Sequence, residues 1–379
     1  ISAGANFASS PARILIDFLD PIVVAEKVAV TENYKYITID DIAQKCGLSR
    51  ATVSRVVRNS PNVSEKSRRL VEKVIRDTGY QPNQIAQSLA QGYSNIVALI
   101  VGNISSIAQI EISKVIQKGL YDHGLMAWLC NSDYDPNVCD AYLDTAVASK
   151  LAGAFLITTD PTKKKLEQIV KGGLPIVMVN RQDTSVTCDS ILGNDRISAQ
   201  QAVSFLVSQG HRNIVLLGVS QELIAGRQAY LGFKDGCEKN NLPFSDRSVY
   251  EIDINSYSDT LKVRHPFNAS QLFEDNPDTT AVISLSYEVL IDFYSQCQIL
   301  GKRIPDDLSL VCLDPVQNER IPGLTLTTFG TNQRALGEAA VAQMLLRIQA
   351  RKSSRQPYSS NIVLEPTYLK GSSVRNILK

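Results

Sequence analysis

The sequence is poor in the side chains that hold metals or build redox centres. Its 379 residues include only three histidines, His123, His211 and His265, all far apart. Seven cysteines (Cys46, Cys130, Cys139, Cys188, Cys237, Cys297, Cys312) are scattered without a Cys-x-x-Cys pair. Neither a zinc cluster nor a disulfide framework is legible, which suits a reducing cytosol. No run of 18 apolar residues without a charge occurs, so a membrane-spanning helix is excluded and a soluble, cytoplasmic protein is expected. Also missing are Gly-x-Ser-x-Gly, the phosphate-cradling Gly-x-x-x-x-Gly-Lys and the dinucleotide-binding Gly-x-Gly-x-x-Gly. These absences argue against an enzyme, and no catalytic residue, metal ligand or cofactor is assigned.

What is present is enough apolar residue for more than one core. A composition 44% hydrophobic and 20% charged over this length implies two or three folded domains. The net charge of +1 conceals a segregation. Residues 34–92 carry ten Lys/Arg against five acids, a surplus of five that leaves the rest of the chain at minus four. A small basic module beside a large, slightly acidic body points to a polyanion partner for the module. Ahead of it, Arg13-Ile-Leu-Ile-Asp-Phe-Leu-Asp-Pro is interrupted by Asp17 and Asp20, unlike the continuous apolar region of an export signal. Residues 1–36 are expected to be dispensable for the fold.

The basic module reads as short, well-punctuated helices. Thr38 with Asp41 has the form of a capping box, Ile42 and Ala43 face inward, and Gly47 stops the first helix. Ser49 can cap a second helix, in which Val53, Val56 and Val57 share one face while Arg50, Ala51, Ser54 and Arg55 point away. Two short helices joined by a glycine turn form a helix-turn-helix. A third helix after Ser64 closes the core through the pairs Leu70/Val74 and Val71/Ile75.

These residues carry a resemblance. The run Thr38-Ile-Asp-Asp-Ile-Ala-Gln-Lys-Cys-Gly-Leu-Ser-Arg-Ala-Thr-Val-Ser-Arg-Val-Val, then Asn62-Val-Ser, then Gly79-Tyr-Gln-Pro-Asn-Gln-Ile-Ala-Gln-Ser-Leu-Ala, resembles the head of the lactose-repressor family of bacterial transcription regulators. The resemblance continues more loosely to about residue 375. It implies DNA contacts from Thr38, Ser49, Arg50, Ala51, Thr52, Ser54, Arg55, Asn62, Ser64, Tyr80, Asn83, Ala86 and Leu89, with Arg50 and Ala51 at the positions that vary with operator sequence. On physical grounds Arg55 is the first choice for base reading, because an arginine in the major groove can donate two hydrogen bonds to guanine O6 and N7. Residues 83–89 span barely two helical turns, too few to be stable alone in water. The resemblance makes them a hinge that orders on DNA beside its twin from a second subunit, with Leu89 wedged between base steps.

After Gly92 short apolar strands alternate with helical stretches: Ile96–Val101, Met126–Cys130, Ala154–Thr158, Ile176–Val179, Ile214–Leu217, Ala281–Leu285 and Leu308–Leu313. Such alternation implies βαβ crossovers and buried parallel sheets. The resulting fold class is α/β, with two-lobed periplasmic-binding-protein-like parallel sheets preceded by an all-α helix-turn-helix domain and a hinge helix. The domains are 1–36, an extension; 37–80, the DNA-binding head; 81–93, the hinge; and 94–379, the core. The resemblance implies that the chain crosses between the lobes three times, with Gly210-His-Arg-Asn-Ile leading into the second, where His211 is a turn residue. Trp128, within a strand, is expected in the core.

Open parallel sheets bind ligands beyond their strand carboxyl ends. The effector candidates are therefore Asn103, Ser105, Ser106, Asn131, Asn180, Asn194, Arg227, Tyr287 and Asp314. Here the chain departs from the family. Ser286-Tyr287 stands where Asn-Asp is usual, Ala229 replaces an effector-binding arginine with Arg227 two places away, Ala108-Gln109 replace an aromatic pair, and an Asp-Asn pair reads Asn194-Asp195. These changes imply an unusual effector or a cleft that no longer responds to one. The function expected is a homodimeric, sequence-specific repressor of transcription, associated with the nucleoid, that binds a pseudopalindromic operator under control of a small molecule. The alternative is a small-molecule receptor of the same two-lobed fold with no transcriptional role. The tail after Lys370 is too short for a tetramerising coiled coil.

Overall fold

The computed structural model describes residues 37–57, 60–80, 93–183, 185–220, 223–252, 268–315, 321–352 and 359–378. The expected extension (1–36) and the hinge with Asn83, Ala86 and Leu89 lie outside the described residues. The chain divides into two compact units, Ile1–Asn83 and Gln84–Lys379.

The first unit is a trihelical head: α1 (Ile39–Cys46), α2 (Arg50–Val57) and α3 (Glu65–Thr78). Its local punctuation works as the sequence suggests. Thr38 Oγ1 accepts from Asp41 N while the Asp41 carboxylate accepts from Thr38 N at 2.8 Å, a reciprocal capping box. Ser49 and Ser64 accept from Thr52 N and Ser67 N, each at 3.2 Å. Gly47 and Gly79 end α1 and α3 in the left-handed region, at φ 62° and 64°. Ile42, Val53, Val56, Val71 and Tyr80 are buried together at the centre. Leu70, expected in that core, is 40% exposed, because the 3.6-residue repeat of α3 centres the inward stripe on Val71.

The second unit holds two six-stranded sheets. In chain order its elements are β1 (Ile96–Val101), α4 (Ile107–Asp122), β2 (Met126–Asn131), α5 (Pro136–Ala148), β3 (Gly153–Ile157), α6 (Lys163–Lys171), β4 (Ile176–Val179), β5 (Asp189–Gly193), α7 (Asp195–Ser208), β6 (Ile214–Val219), α8 (Ile224–Lys239), β7 (Val249–Glu251), α9 (Ala269–Asp275), β8 (Ala281–Ser284), α10 (Tyr287–Ile299), β9 (Ser309–Cys312), β10 (Thr327–Gly330), α11 (Gln333–Lys352), β11 (Asn361–Leu364) and β12 (Thr367–Leu369). The strand orders are β11-β5-β4-β3-β1-β2 and β12-β10-β9-β8-β6-β7, parallel throughout except for the β10–β12 pair. Central strands such as Gly153-Ala-Phe-Leu-Ile are buried on both faces by flanking helices, hence their unbroken apolar runs.

Three crossings join the lobes. The chain leaves the first lobe between β5 and α7, returns between β10 and α11, and crosses again between β11 and β12. One hydroxyl binds all three: Thr331 Oγ1 accepts from Asn194 N at 3.3 Å and donates to Leu364 O at 3.2 Å. The second lobe thus begins at α7, whose inner face packs beneath the second sheet, rather than at Gly210. His211 is a structural tie: Nε2 donates to Arg375 O at 3.1 Å and Nδ1 faces the Thr280 hydroxyl at 2.9 Å. Trp128 corrects its expectation. Because β2 is a sheet edge, Met126, Trp128 and Leu129 are all substantially exposed. Among the described residues no helix is long and apolar enough to cross a membrane.

Candidate functional site

Two surfaces carry chemistry. The first is the outer face of α2. Val53 and Val56 anchor the helix in the head, which leaves Arg50, Ala51 and Arg55 exposed and Thr52 and Ser54 half-buried. Ser49 is both cap and exposed hydroxyl, hydrogen-bonded to Thr52 Oγ1 at 2.9 Å. Arg50 Nη1 lies 3.5 Å from Asp40 Oδ2 on α1, both well exposed, whereas Arg55 forms no ion pair among the described residues. Thr38, Asn62 and Ser64 are exposed as well. Tyr80 departs from its expected place at the DNA face. Its ring is buried in the head core, and that burial raises the phenol's pKa.

The second surface is a cavity of about 150 Å³ between the lobes of the core. Of the nine effector candidates, Asn103, Ser105 and Ser106 line it. They are set by a network of amides after β1. Gln109 Oε1 accepts from Asn103 N and Gln109 Nε2 donates to Tyr134 Oη, both at 3.0 Å. Asn103 Oδ1 accepts from Ser105 N at 2.7 Å, and Asn131 Oδ1 accepts from Ile104 N at 3.0 Å. Gln109, one of the two residues replacing the family's aromatics, therefore builds the loop. Gly102 is required there: a Cβ would lie 2.4 Å from Thr158 O and 2.5 Å from the Tyr134 ring. Tyr134 itself sits in the left-handed region at φ 60°, and burial pushes its phenol up to about 12.

The other candidates do not line the cavity. Asn131 and Asn180 hold backbone turns, the latter accepting from Gly193 N at 3.3 Å. Asn194 caps α7 and bonds Glu365 at the crossings. Arg227 is exposed on α8, and the Tyr287 ring turns into the core of the second lobe. Asp314 bonds the first N–H of α10, with Tyr287 N donating to Oδ2 at 3.2 Å. Sequence reasoning missed the cavity's carboxylate, Glu288, and Tyr134. It also missed the Arg181–Asp160 ion pair at 2.5 Å, whose members feel the field of Arg227. The apolar periodicity of α10 gave no signal for Glu288, adjacent to the chosen Tyr287.

Two acids nearby keep their protons to a higher pH than an ordinary carboxyl. Burial, then the Glu288 charge, raises Asp314 to about 8, and burial raises Asp195 to about 7. Both titrate near 3.8 when unburied, so above that pH the unfolded chain loses protons that the folded one keeps. Stability should consequently fall as pH rises from about 4 to about 8 on this account. Urea unfolding across that range should show a shallower decline for Asp314→Asn, which keeps the acceptor but cannot ionise. An unaltered slope would contradict the assignment.

Comparisons with known proteins match parts of both units. The profile of bacterial regulatory proteins of the lacI family matches residues 38–83, and that of the periplasmic binding protein-like domain matches 203–374. The chain thus joins a lacI-family helix-turn-helix domain to a periplasmic-binding-protein-like domain. A third match, YabG peptidase U57, spans residues 1–54 and overlaps the first two helices of the head. The family's repressor PurR of Actinobacillus pleuropneumoniae serotype 3 (strain JL03) is 25% identical over 342 residues, 90% of this chain and 99% of that protein. Catabolite control protein A of Priestia megaterium is 25% identical over 333 residues, 87% and 96% of the two. In fold, the lac repressor dimer bound to operator and the anti-inducer ONPF superposes with a TM-score of 0.75 at 21% identity, covering 90% of this chain and all of that one.

Proposed function

We propose that this protein is a homodimeric, sequence-specific repressor whose α2 reads a pseudopalindromic operator and whose operator affinity is set by a small molecule between the lobes. The observation that carries the reading is the outer face of α2, where Arg50, Ala51 and Arg55 stand exposed opposite a buried valine face. Relatives across about nine-tenths of the chain are named as transcriptional repressors, which favours this over a receptor with no transcriptional role. The exposed apolar edge of β2 supports pairing with a second copy, since an uncovered strand edge invites partners. In this reading residues 37–80 are the head, 81–93 the hinge that places Leu89 in the minor groove, and 94–379 the core, in a protein of the cytoplasmic nucleoid. The effector contacts are assigned to Asn103, Ser105 and Ser106, joined by Glu288.

Selection of bound duplexes from randomised DNA tests it. Two half-sites related by a dyad should be recovered, and affinity should fall linearly with the logarithm of salt concentration as phosphate contacts release counterions. Recovery of duplexes with no half-site preference would reject sequence-specific reading.

A further inference from the structure

The first N–H groups of a helix have no intrahelical acceptor and carry the positive end of its dipole. At the start of α4 the expected local solution is missing: Ser106 stands at the cap position, but its side chain makes no capping hydrogen bond. The acceptor comes from the other lobe. Ile107 N donates to Glu288 Oε1 at 2.6 Å, a contact between residues 181 positions apart. Glu288 lies in the first turn of α10, beneath the second sheet. The Ile107 side chain follows its backbone across and packs against the second lobe's cluster, which includes Tyr287, Val289, Leu290 and Phe293. The first turn of α4 is thus docked on the opposite lobe by a charge-assisted hydrogen bond and by apolar contact. Both residues adjoin the cavity, with Glu288, Ser105 and Ser106 in its wall.

We propose that Glu288 is a built-in interlobe latch: its carboxylate takes the anion position at the N-terminus of α4 and holds the lobes together without help from a ligand. A small molecule in the cavity then acts by competing for that bond, offering an acceptor to Ile107 N–H or a donor to the carboxylate. This rests on reading the cleft as regulatory and names the regulation.

The test uses the full chain without DNA, so its failure is separate from any failure to bind an operator. Solution X-ray scattering gives the overall dimensions, and hydrogen exchange reports the amides of residues 105–110 and 285–290. Glu288→Ala should enlarge the radius of gyration and speed exchange at least tenfold on both sides of the cleft. Glu288→Gln, whose amide oxygen accepts the same bond, should stay close to the parent. Ile107→Pro removes the donor at a first-turn position that tolerates proline, and adding Glu288→Ala to it should open the lobes no further. If Glu288→Ala does not fold, Ile107→Pro carries the test. Faster exchange at 105–110 with unchanged scattering would reduce Glu288 to a helix cap and overturn the latch, as would no change in either.

Discussion

Arg347→Ala should destabilise the core by about 3–5 kcal/mol, the usual cost of leaving one member of a buried ion pair behind. Asp189, the first residue of β5, is fully buried. Its carboxylate is held by the guanidinium of Arg347, through Nε and through Nη2 at 2.6 Å, and by Ser360 N at 2.8 Å. Without Arg347, one backbone N–H would remain to compensate a buried charge. Arg347→Lys restores charge but not the two-pronged geometry and should recover part of the loss. Replacing both partners, as Asp189→Asn with Arg347→Met, removes the charges together and should cost less than Arg347→Ala alone. Urea unfolding at neutral pH measures all three. A loss under about 1 kcal/mol for Arg347→Ala would place the pair among weak surface bridges.

The same pair shows why β5 was invisible in the sequence. Asp189-Ser-Ile-Leu-Gly starts with a charge, and a strand buried on both faces is recognised by its apolar run. Asp189 is tolerated in the interior only because Arg347 arrives from α11, 158 positions later. The strands β7, β10, β11 and β12 escaped for related reasons. They are three or four residues long, too short for a periodic signal, and β11 and β12 meet their neighbours only after the chain has crossed between the lobes. The head was legible because its signals are local: Thr38 with Asp41, Ser49, Ser64, Gly47 and Gly79 each act within four residues. Trp128 was misplaced because a sheet order, not a residue pattern, makes β2 an edge.

The cavity was half legible. Strand ends pointed to Asn103, Ser105 and Ser106, because ligand positions follow from parallel topology. Amide side chains at other strand ends proved to be occupied by backbone, as Asn131 and Asn180 are. Sequence cannot distinguish an amide that holds a loop from one that awaits a ligand, since both need the same donors and acceptors.

Arg55→Ala should weaken operator binding by about 1–3 kcal/mol, roughly five- to 150-fold, with the loss concentrated at one base pair. The distinction from Arg50 is geometric. Arg50 has an intramolecular partner in Asp40 at 3.5 Å, so reaching a base would cost it that contact. Arg55 is exposed in the last turn of α2, on the face opposite Val53 and Val56. Arg55→Lys separates base reading from charge. It keeps the cation that neutralises phosphate, and with it the salt dependence, but loses the fork that matches guanine O6 and N7. Fluorescence anisotropy on the selected operator, and on the same duplex with the contacted guanine replaced by adenine, measures the discrimination. Arg55→Ala should bind the two duplexes nearly alike, and Arg55→Lys, whose ammonium reaches O6 and N7 without the planar fork, should separate them less than the parent does. If Arg55→Lys discriminated as well as the parent, the side chain would serve the phosphate backbone, and base reading would pass to Arg50.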